Sequence, residues 1–245
     1  MIRQPRDCRA SSPTAVAETF ADLATVGPYF TVTTGEPGPG LWRPTGRLYD
    51  DAETLATVVT HVGAQIDTDE QRVAASTLLM GYAARLWSVT LGSIVRGRLL
   101  PVLDPEHLLW REDRGRIDLH LRDPRGMEGG DMTALARDMV LDRHLVPLIA
   151  AIRAVAPMSD LVLWGDAASA LIGSARILDG RTHTTAITAA ERILADHRLT
   201  HMIEWTDAGH RRRSCCLFYR TPDAGYCSDC VLIPQSADSH PDQLG

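Results

Sequence analysis

Residues 73–95 read V-A-A-S-T-L-L-M-G-Y-A-A-R-L-W-S-V-T-L-G-S-I-V, and Arg85 is their only charge. A run of this length is long enough to cross a bilayer. Arg85 falls near its middle, however, where a lipid-facing arginine costs about 2.5–3.5 kcal/mol on insertion scales. The segment is also rich in Ala, Ser, Thr and Gly. These features predict a buried central helix inside a longer one spanning about residues 68–96. Gly81 and Gly92 are expected to let neighbouring helices approach closely. A fold organised around one such helix is mainly α.

The flanking sequence supports this. Ser12 and Pro13 read as an N-cap and first helical residue, opening a helix to about residue 26. Residues 33–47 are rich in proline and glycine and read as a loop. Asp50 or Asp51 caps a helix to about residue 66. Residues 101–122 break the helical pattern, and two alternating runs flanking Arg114 and Gly115 predict a β-hairpin. Asp131 caps a helix carrying Met132, Leu135, Met139, Val146 and Ile149 on one face, which Pro147 is expected to kink or break. Ser159 opens a helix to about residue 178, and Thr184 or Thr185 opens another to about residue 197. Residues 202–205 and 217–219 read as short strands. The expected class is α+β, mainly α with a small β element. Residues 1–11 are expected to be flexible, 12–200 a helical domain, 201–233 a C-terminal metal-binding segment, and 234–245 a disordered tail.

The chain has 245 residues, 44% of them hydrophobic, and a net charge of −6. This composition is ordinary for a globular domain. The acidic balance argues against a nucleic-acid partner, which calls for a basic face. Every basic residue other than histidine is arginine, a feature of base composition rather than of function. No apolar export signal is visible near the start. Together with cysteines expected to be reduced, this predicts a cytoplasmic protein without a membrane span; peripheral placement at the cytoplasmic face is compatible.

Four of the five cysteines lie in R-R-R-S-C-C-L-F-Y-R-T-P-D-A-G-Y-C-S-D-C-V-L, residues 211–232: Cys215, Cys216, Cys227 and Cys230. Four thiolates are what an iron–sulfur cluster needs, and they equally satisfy a structural zinc. The adjacent pair argues against an ordinary zinc ribbon. In a strand, neighbouring side chains point to opposite faces, so Cys215 and Cys216 reach one centre only if the backbone turns there. Cys8 stands apart and reads as an unligated thiol.

The spacing Cys-Cys-x10-Cys-x2-Cys resembles the C-terminal motif of the FhuF-type ferric siderophore reductases. Arg212, Arg213 and Tyr219 also fit that pattern. S-D-L-V-L-W-G-D-A-A-S-A-L at residues 159–171 and, more weakly, G-Y-A-A-R-L-W at 81–87 look similar to the family, so the likeness spans roughly residues 70–232. It implies a [2Fe-2S] cluster held by the four late cysteines and one-electron reduction of a ferric siderophore. Electrons would come from a separate donor, a ferredoxin or flavoprotein reductase. No G-x-G-x-x-G after a strand and no P-loop point to a nucleotide site of the chain's own.

Arg212 and Arg213, with His210 and Arg211, read either as a solvated basic run or as charges acting on the cluster or substrate. Asp166, polar among apolar neighbours, could cap, pair with an arginine or line a pocket. Trp42, Trp87, Trp110, Trp164 and Trp205 read as core. The histidines lack metal-binding spacing. The rival reading, from another class, is a non-enzymatic module that holds a siderophore, a zinc or an electron-carrying centre.

Overall fold

The computed structural model describes residues 7–113, 116–180, 184–206, 209–222 and 224–233. Strand β1 (Arg9–Ser11) leads into helix α1 (Pro13–Ala24), where the Ser12 hydroxyl accepts from the Ala15 N–H. Strands β2 (Val32–Thr34) and β3 (Arg43–Pro44) and a single helical turn, α2 (Arg47–Asp50), follow. The two strands fall near the ends of the stretch expected to be a loop, 33–47, and residues 35–42 between them are irregular as expected. Helix α3 (Ala52–Gln65) begins at Asp51, whose carboxylate accepts from Thr54. Helix α4 (Gln71–Gly92) continues through a wide π turn (Ser93–Gly97) to β4 (Leu100–Pro101).

Strands β5 (Leu108–Asp113) and β6 (Arg116–Leu121) form the expected antiparallel hairpin; its turn at Arg114 and Gly115 lies outside the described residues. β7 (Gly126–Glu128) precedes α5 (Met132–Val140), capped by Asp131 onto Ala134. Pro147 does not simply end this helix. A π turn (Leu141–Leu145) widens the backbone and hands over to α6 (Val146–Val155) with Pro147 in its first turn, where a missing N–H costs nothing. Helices α7 (Asp160–Asp179) and α8 (Thr185–Leu194) and the hairpin β8 (Ile203–Thr206) with β9 (Gly209–Arg212) complete the order.

The strands make three small sheets: β1–β7–β4, β2–β6–β5–β3 with β2 and β6 parallel, and β8–β9. Residues 9–11, read from sequence as loose, pair instead with Gly126–Glu128, and Arg9 and Ser11 both reach Glu128. Three residues carry no periodicity for a sequence reading to detect. The expected tail, 234–245, lies outside the described residues.

Helix α4 is buried on nearly all sides and packs lengthwise on α7. Gln71–Gly97 and Asp160–Asp179 are each long and apolar enough to cross a membrane by length and composition, yet here most of each is covered by the rest of the fold. Leu86, Trp87, Val89 and Leu91 are fully covered. Gly92 admits Leu23 so closely that a Cβ would lie 2.6 Å from its Cδ2, as a packing glycine should. Gly81 does not pack: nothing lies within 4 Å of where its Cβ would be. It faces a cleft.

Candidate metal centre

The segment carrying the cysteines has little regular structure. After β9 the chain runs through Ser214, Cys215 and Cys216 to Leu217, whose φ of 66° places it in the left-handed region. A branched side chain rarely adopts that conformation. The residue turns the backbone, and a 3₁₀ turn (Phe218–Arg220) follows where a strand was expected at 217–219. This bend answers the problem posed by adjacent cysteines, since it lets both thiols lie on one side.

Cys216 Sγ and Cys227 Sγ are 3.3 Å apart, and Cys215 interacts electrostatically with both Cys216 and Cys230. Among the described residues, no three His, Cys, Asp or Glu side chains converge on a point as one metal ion would require. Two pairs of thiolates are the donor set of a two-iron centre. Backbone N–H groups serve the sulfurs as well: Leu217 N–H lies 3.3 Å from Cys215 Sγ, Leu232 N–H 3.4 Å from Cys230 Sγ, and Phe218 N–H bonds Cys216. Such donors stabilise negative charge on sulfur. The hydrogen bond from Cys227, with help from Arg212, holds the Cys216 thiol down at about 5, and serving as donor pushes Cys227 up. Burial pushes Cys215 up. Cys8 is remote from this group; its thiol donates to the Gly129 carbonyl.

A buried charge network fastens the segment to the helices. Arg212 and Asp166 are 1% and 0% exposed and 2.8 Å apart, and Arg212 also lies 3.3 Å from Asp229. Its charge also acts on the Cys216 sulfur. Burial lowers the guanidinium's proton affinity, but Asp229, Cys216 and Asp166 together outweigh it, so Arg212 stays charged. Burial pushes the Asp166 carboxyl up to about 8 against the opposing pull of Ser76 and Arg212. Asp229 is disfavoured by burial but held down at about 2 by His210, Arg212 and Ser169. Ser76 Oγ, on α4, lies 2.6 Å from Asp166 Oδ2 and 2.8 Å from the Cys216 carbonyl.

The sequence grouped Arg211, Arg212 and Arg213 as one basic run, but the structure separates them. Arg212 is buried in the network, Arg213 is exposed, and Arg211 caps the carbonyls of Val231 and Ile233. Strand alternation explains the split. The stretch around Trp164 also acquires a role. A Cβ on Gly165 would lie 2.2 Å from Ser214 Oγ, Asp166 takes Arg212, and Ser169 donates to Asp229 at 2.5 Å. One face of α7 is therefore the seat of the cysteine segment. Asp166 was flagged as a possible arginine partner; Ser76, Ser169 and Asp229 were missed, because only the fold brings them together. Among the tryptophans, Trp87 and Trp110 are core, Trp164 is partly buried against it, Trp205 is 49% exposed, and Trp42 is partly exposed beside Arg111.

A cleft of about 370 Å³ between α4 and α7 opens directly onto Cys216 and Cys227. Its walls are mostly small: Ser76, Gly81, Ala84, Ala170 and Gly173, with Tyr29 at the side.

These features gather four cysteines in one short segment seated on a helical body. Residues 212–232 match the family described as FhuF 2Fe-2S C-terminal domain, with the cysteines in its Cys-Cys-x10-Cys-x2-Cys pattern. The matched domain is described as binding a [2Fe-2S] cluster, and that cluster is the cofactor of this segment. No curated protein matches the chain.

Proposed function

We propose that this chain is a cytoplasmic ferric siderophore reductase, in which residues 12–200 form the substrate-binding body and 201–233 the cluster-binding segment. Cys216 and Cys227 would hold one iron and Cys215 and Cys230 the other. The observation that carries the reading is the cleft, because it gives a bulky chelate direct access to one thiol pair in a segment of FhuF type. When bound, the cluster supplies one electron, which reduces substrate Fe(III) to Fe(II); hard oxygen chelators hold Fe(II) far more weakly, so the metal is released.

The protein's part is placement. The small residues of α4 and α7 leave room for a chelate at van der Waals distance from Cys216 and Cys227. Arg212 balances sulfur charge from beneath, where neither solvent nor substrate competes for it. The backbone N–H donors do the same from the segment itself. A separate donor, a ferredoxin or flavoprotein reductase, would restore the electron.

Single-turnover oxidation of the pre-reduced protein by ferric siderophores, with an Fe(II) trap present, tests this. Bleaching of reduced-cluster absorbance together with one Fe(II) trapped per cluster is expected. The Ga(III) complexes should bind without oxidising it. If ferric complexes bind but never oxidise the cluster, the non-enzymatic carrier reading replaces the reductase.

A further inference from the structure

Ser76 stands where α4, α7 and the cysteine segment meet. Its Oγ lies 2.6 Å from Asp166 Oδ2, on α7, and 2.8 Å from the carbonyl oxygen of Cys216. Both separations are hydrogen-bond lengths, so each needs a proton between its two oxygens. A serine hydroxyl has one proton, and a carbonyl or an ionised carboxylate has none. One proton shared between both would lie off both lines, in bonds too bent for separations this short. The second proton has to come from Asp166.

Its other neighbour leaves one place for that proton. Asp166 Oδ1 accepts from Arg212 Nη1 at 2.8 Å, so the free position is on Oδ2, facing Ser76. The acid then donates to Ser76, and Ser76 donates to the Cys216 carbonyl. The reverse order fails. If an ionised Asp166 took the serine proton, a hydroxyl lone pair would face the Cys216 oxygen at 2.8 Å. Among the described residues no backbone N–H outside the helices and strands reaches that oxygen, and a buried carbonyl without a donor costs stability.

Charge leads to the same assignment. Asp166 is fully buried, and burial pushes its carboxyl up to about 8. Arg212 has a second acidic partner in Asp229, 3.3 Å away, so cation meets anion there without Asp166. A further buried carboxylate would put negative charge beside a centre built on thiolates, and like charges raise a carboxyl's hold on its proton.

We propose that Asp166 is a neutral carboxylic acid whose proton, relayed through Ser76, holds the Cys216 carbonyl and thereby positions the thiolate that faces the cleft. It is a positioning residue, acting through Ser76. The relay ties Cys216, one residue before the left-handed Leu217, to both helices that wall the cleft. The assignment concerns the cluster-binding segment and holds whether or not the chain reduces siderophores.

Asp166→Asn tests it in the cluster-loaded protein. The amide is the uncharged copy of the acid: its oxygen accepts from Arg212 and its NH2 donates to Ser76. Iron and sulfide content should match the parent, and so should the midpoint potential in a redox titration followed by EPR. If Asp166 is ionised, the same change removes a buried negative charge and favours the reduced cluster. A rise equal to a tenfold or larger change in the one-electron equilibrium, about 59 mV, would overturn the proposal, as would loss of the cluster.

Infrared difference spectra read the proton itself. At neutral pH, the parent spectrum minus that of Asp166→Asn should contain the C=O stretch of a protonated carboxyl. Ser76→Ala should shift that band, because the acid loses its acceptor. Absence of the band, or a band that ignores Ser76→Ala, would overturn the assignment. Ser76→Ala also leaves the Cys216 carbonyl without its donor, so a chelator should strip its iron about two- to tenfold faster than the parent's. An unchanged rate would mean that the relay does not hold the cysteine.

Discussion

The helical body and the cysteine segment are held together by different forces. In the body, α4 and α7 bury apolar side chains against each other: Leu86, Trp87, Leu163 and Leu171 are fully covered. Burial of this kind is nondirectional and tolerant of small changes in shape. In the segment, Tyr219, Tyr226, Leu232 and Ile233 remain substantially exposed, and the apolar-type groups that are buried are Ile203, Cys216 and Cys230. What fixes it is a set of polar contacts and ion pairs: Arg212 to Asp166 and Asp229, Ser169 to Asp229, and Arg220 to Glu70 at 2.9 Å. A segment of this kind depends on every partner being present, and on the centre that its sulfurs hold. The body should fold without it; the segment should not hold its shape without the body.

Loss of a thiolate breaks that comparison most severely. Cys227→Ser removes half of the pair that lines the cleft and should strip most iron and sulfide from the purified protein. Helical circular dichroism should persist, because the body does not use the centre. Cys8→Ser should change neither, since that thiol's contact is with Gly129. Full iron and sulfide in Cys227→Ser would contradict the ligand assignment, and collapse of the helical signal would contradict the independence of the body.

Arg212→Leu comes next. It leaves Asp166 and Asp229 buried without their counter-charge, a class of change that costs about 3–5 kcal/mol. Some of this is avoided if Asp166 takes up a proton, which its elevated proton affinity favours. Urea unfolding monitored at the cluster should show the loss, and limited proteolysis should cut within residues 209–233 before the body is touched. Arg212→Leu with wild-type iron content and cluster stability would mean that the ion pairs are decoration.

A pH prediction probes the body alone. His144 sits in the π turn between α5 and α6, fully buried, with Nδ1 2.6 Å from the Tyr49 hydroxyl and Nε2 2.7 Å from the Leu103 carbonyl. A carbonyl only accepts, so Nε2 carries the proton and Nδ1 accepts from Tyr49. Burial holds the imidazole down at about 4, against about 6.5 in an unfolded chain. Between those values the unfolded state binds more protons. Stability from His144 is therefore complete above about pH 6.5 and falls as pH drops toward 4, by about 3 kcal/mol in all. Urea unfolding across that range should show a shallower slope in His144→Gln than in the parent; identical slopes would exclude the linkage.

The same contrast explains what was legible in the sequence. Ser12, Asp51 and Asp131 announced helix starts because a cap is a local bond from one side chain to an N–H three residues on. The cysteine spacing was legible because ligands of one centre must cluster in this short segment. Leu217 was misread as a strand residue: nothing local signals a left-handed leucine, and its conformation follows from bringing two adjacent thiols to one side. Asp166, Ser76, Ser169 and Asp229 form one network from three distant parts of the chain, so no local pattern could unite them. Arg85 was read as a mark of a buried helix, and it is 5% exposed, but that argument concerned the cost of its charge and gave no hint of the cavities it lines.

The smallest expected effect belongs to Arg213, and its smallness is the point. It neighbours Arg212 in sequence and was grouped with it as a charge acting on the cluster. Arg212 is inside and its charge acts on the Cys216 sulfur; Arg213 is exposed, its backbone N–H fixed to the Met202 carbonyl at 3.0 Å. Water and salt screen an exposed charge within about 8 Å at physiological ionic strength. Removing a cation near the cluster disfavours the more negative, reduced state, so Arg213→Gln should lower the potential, if it moves at all. The shift should be well under the roughly 59 mV that marks a tenfold change in a one-electron equilibrium, and raising the salt should shrink it further. Redox titration of Arg213→Gln followed by EPR measures this directly. A drop approaching 59 mV that survives high salt would place Arg213 with Arg212 among the groups that set the potential, and the division of this arginine run by strand alternation would no longer describe its electrostatics.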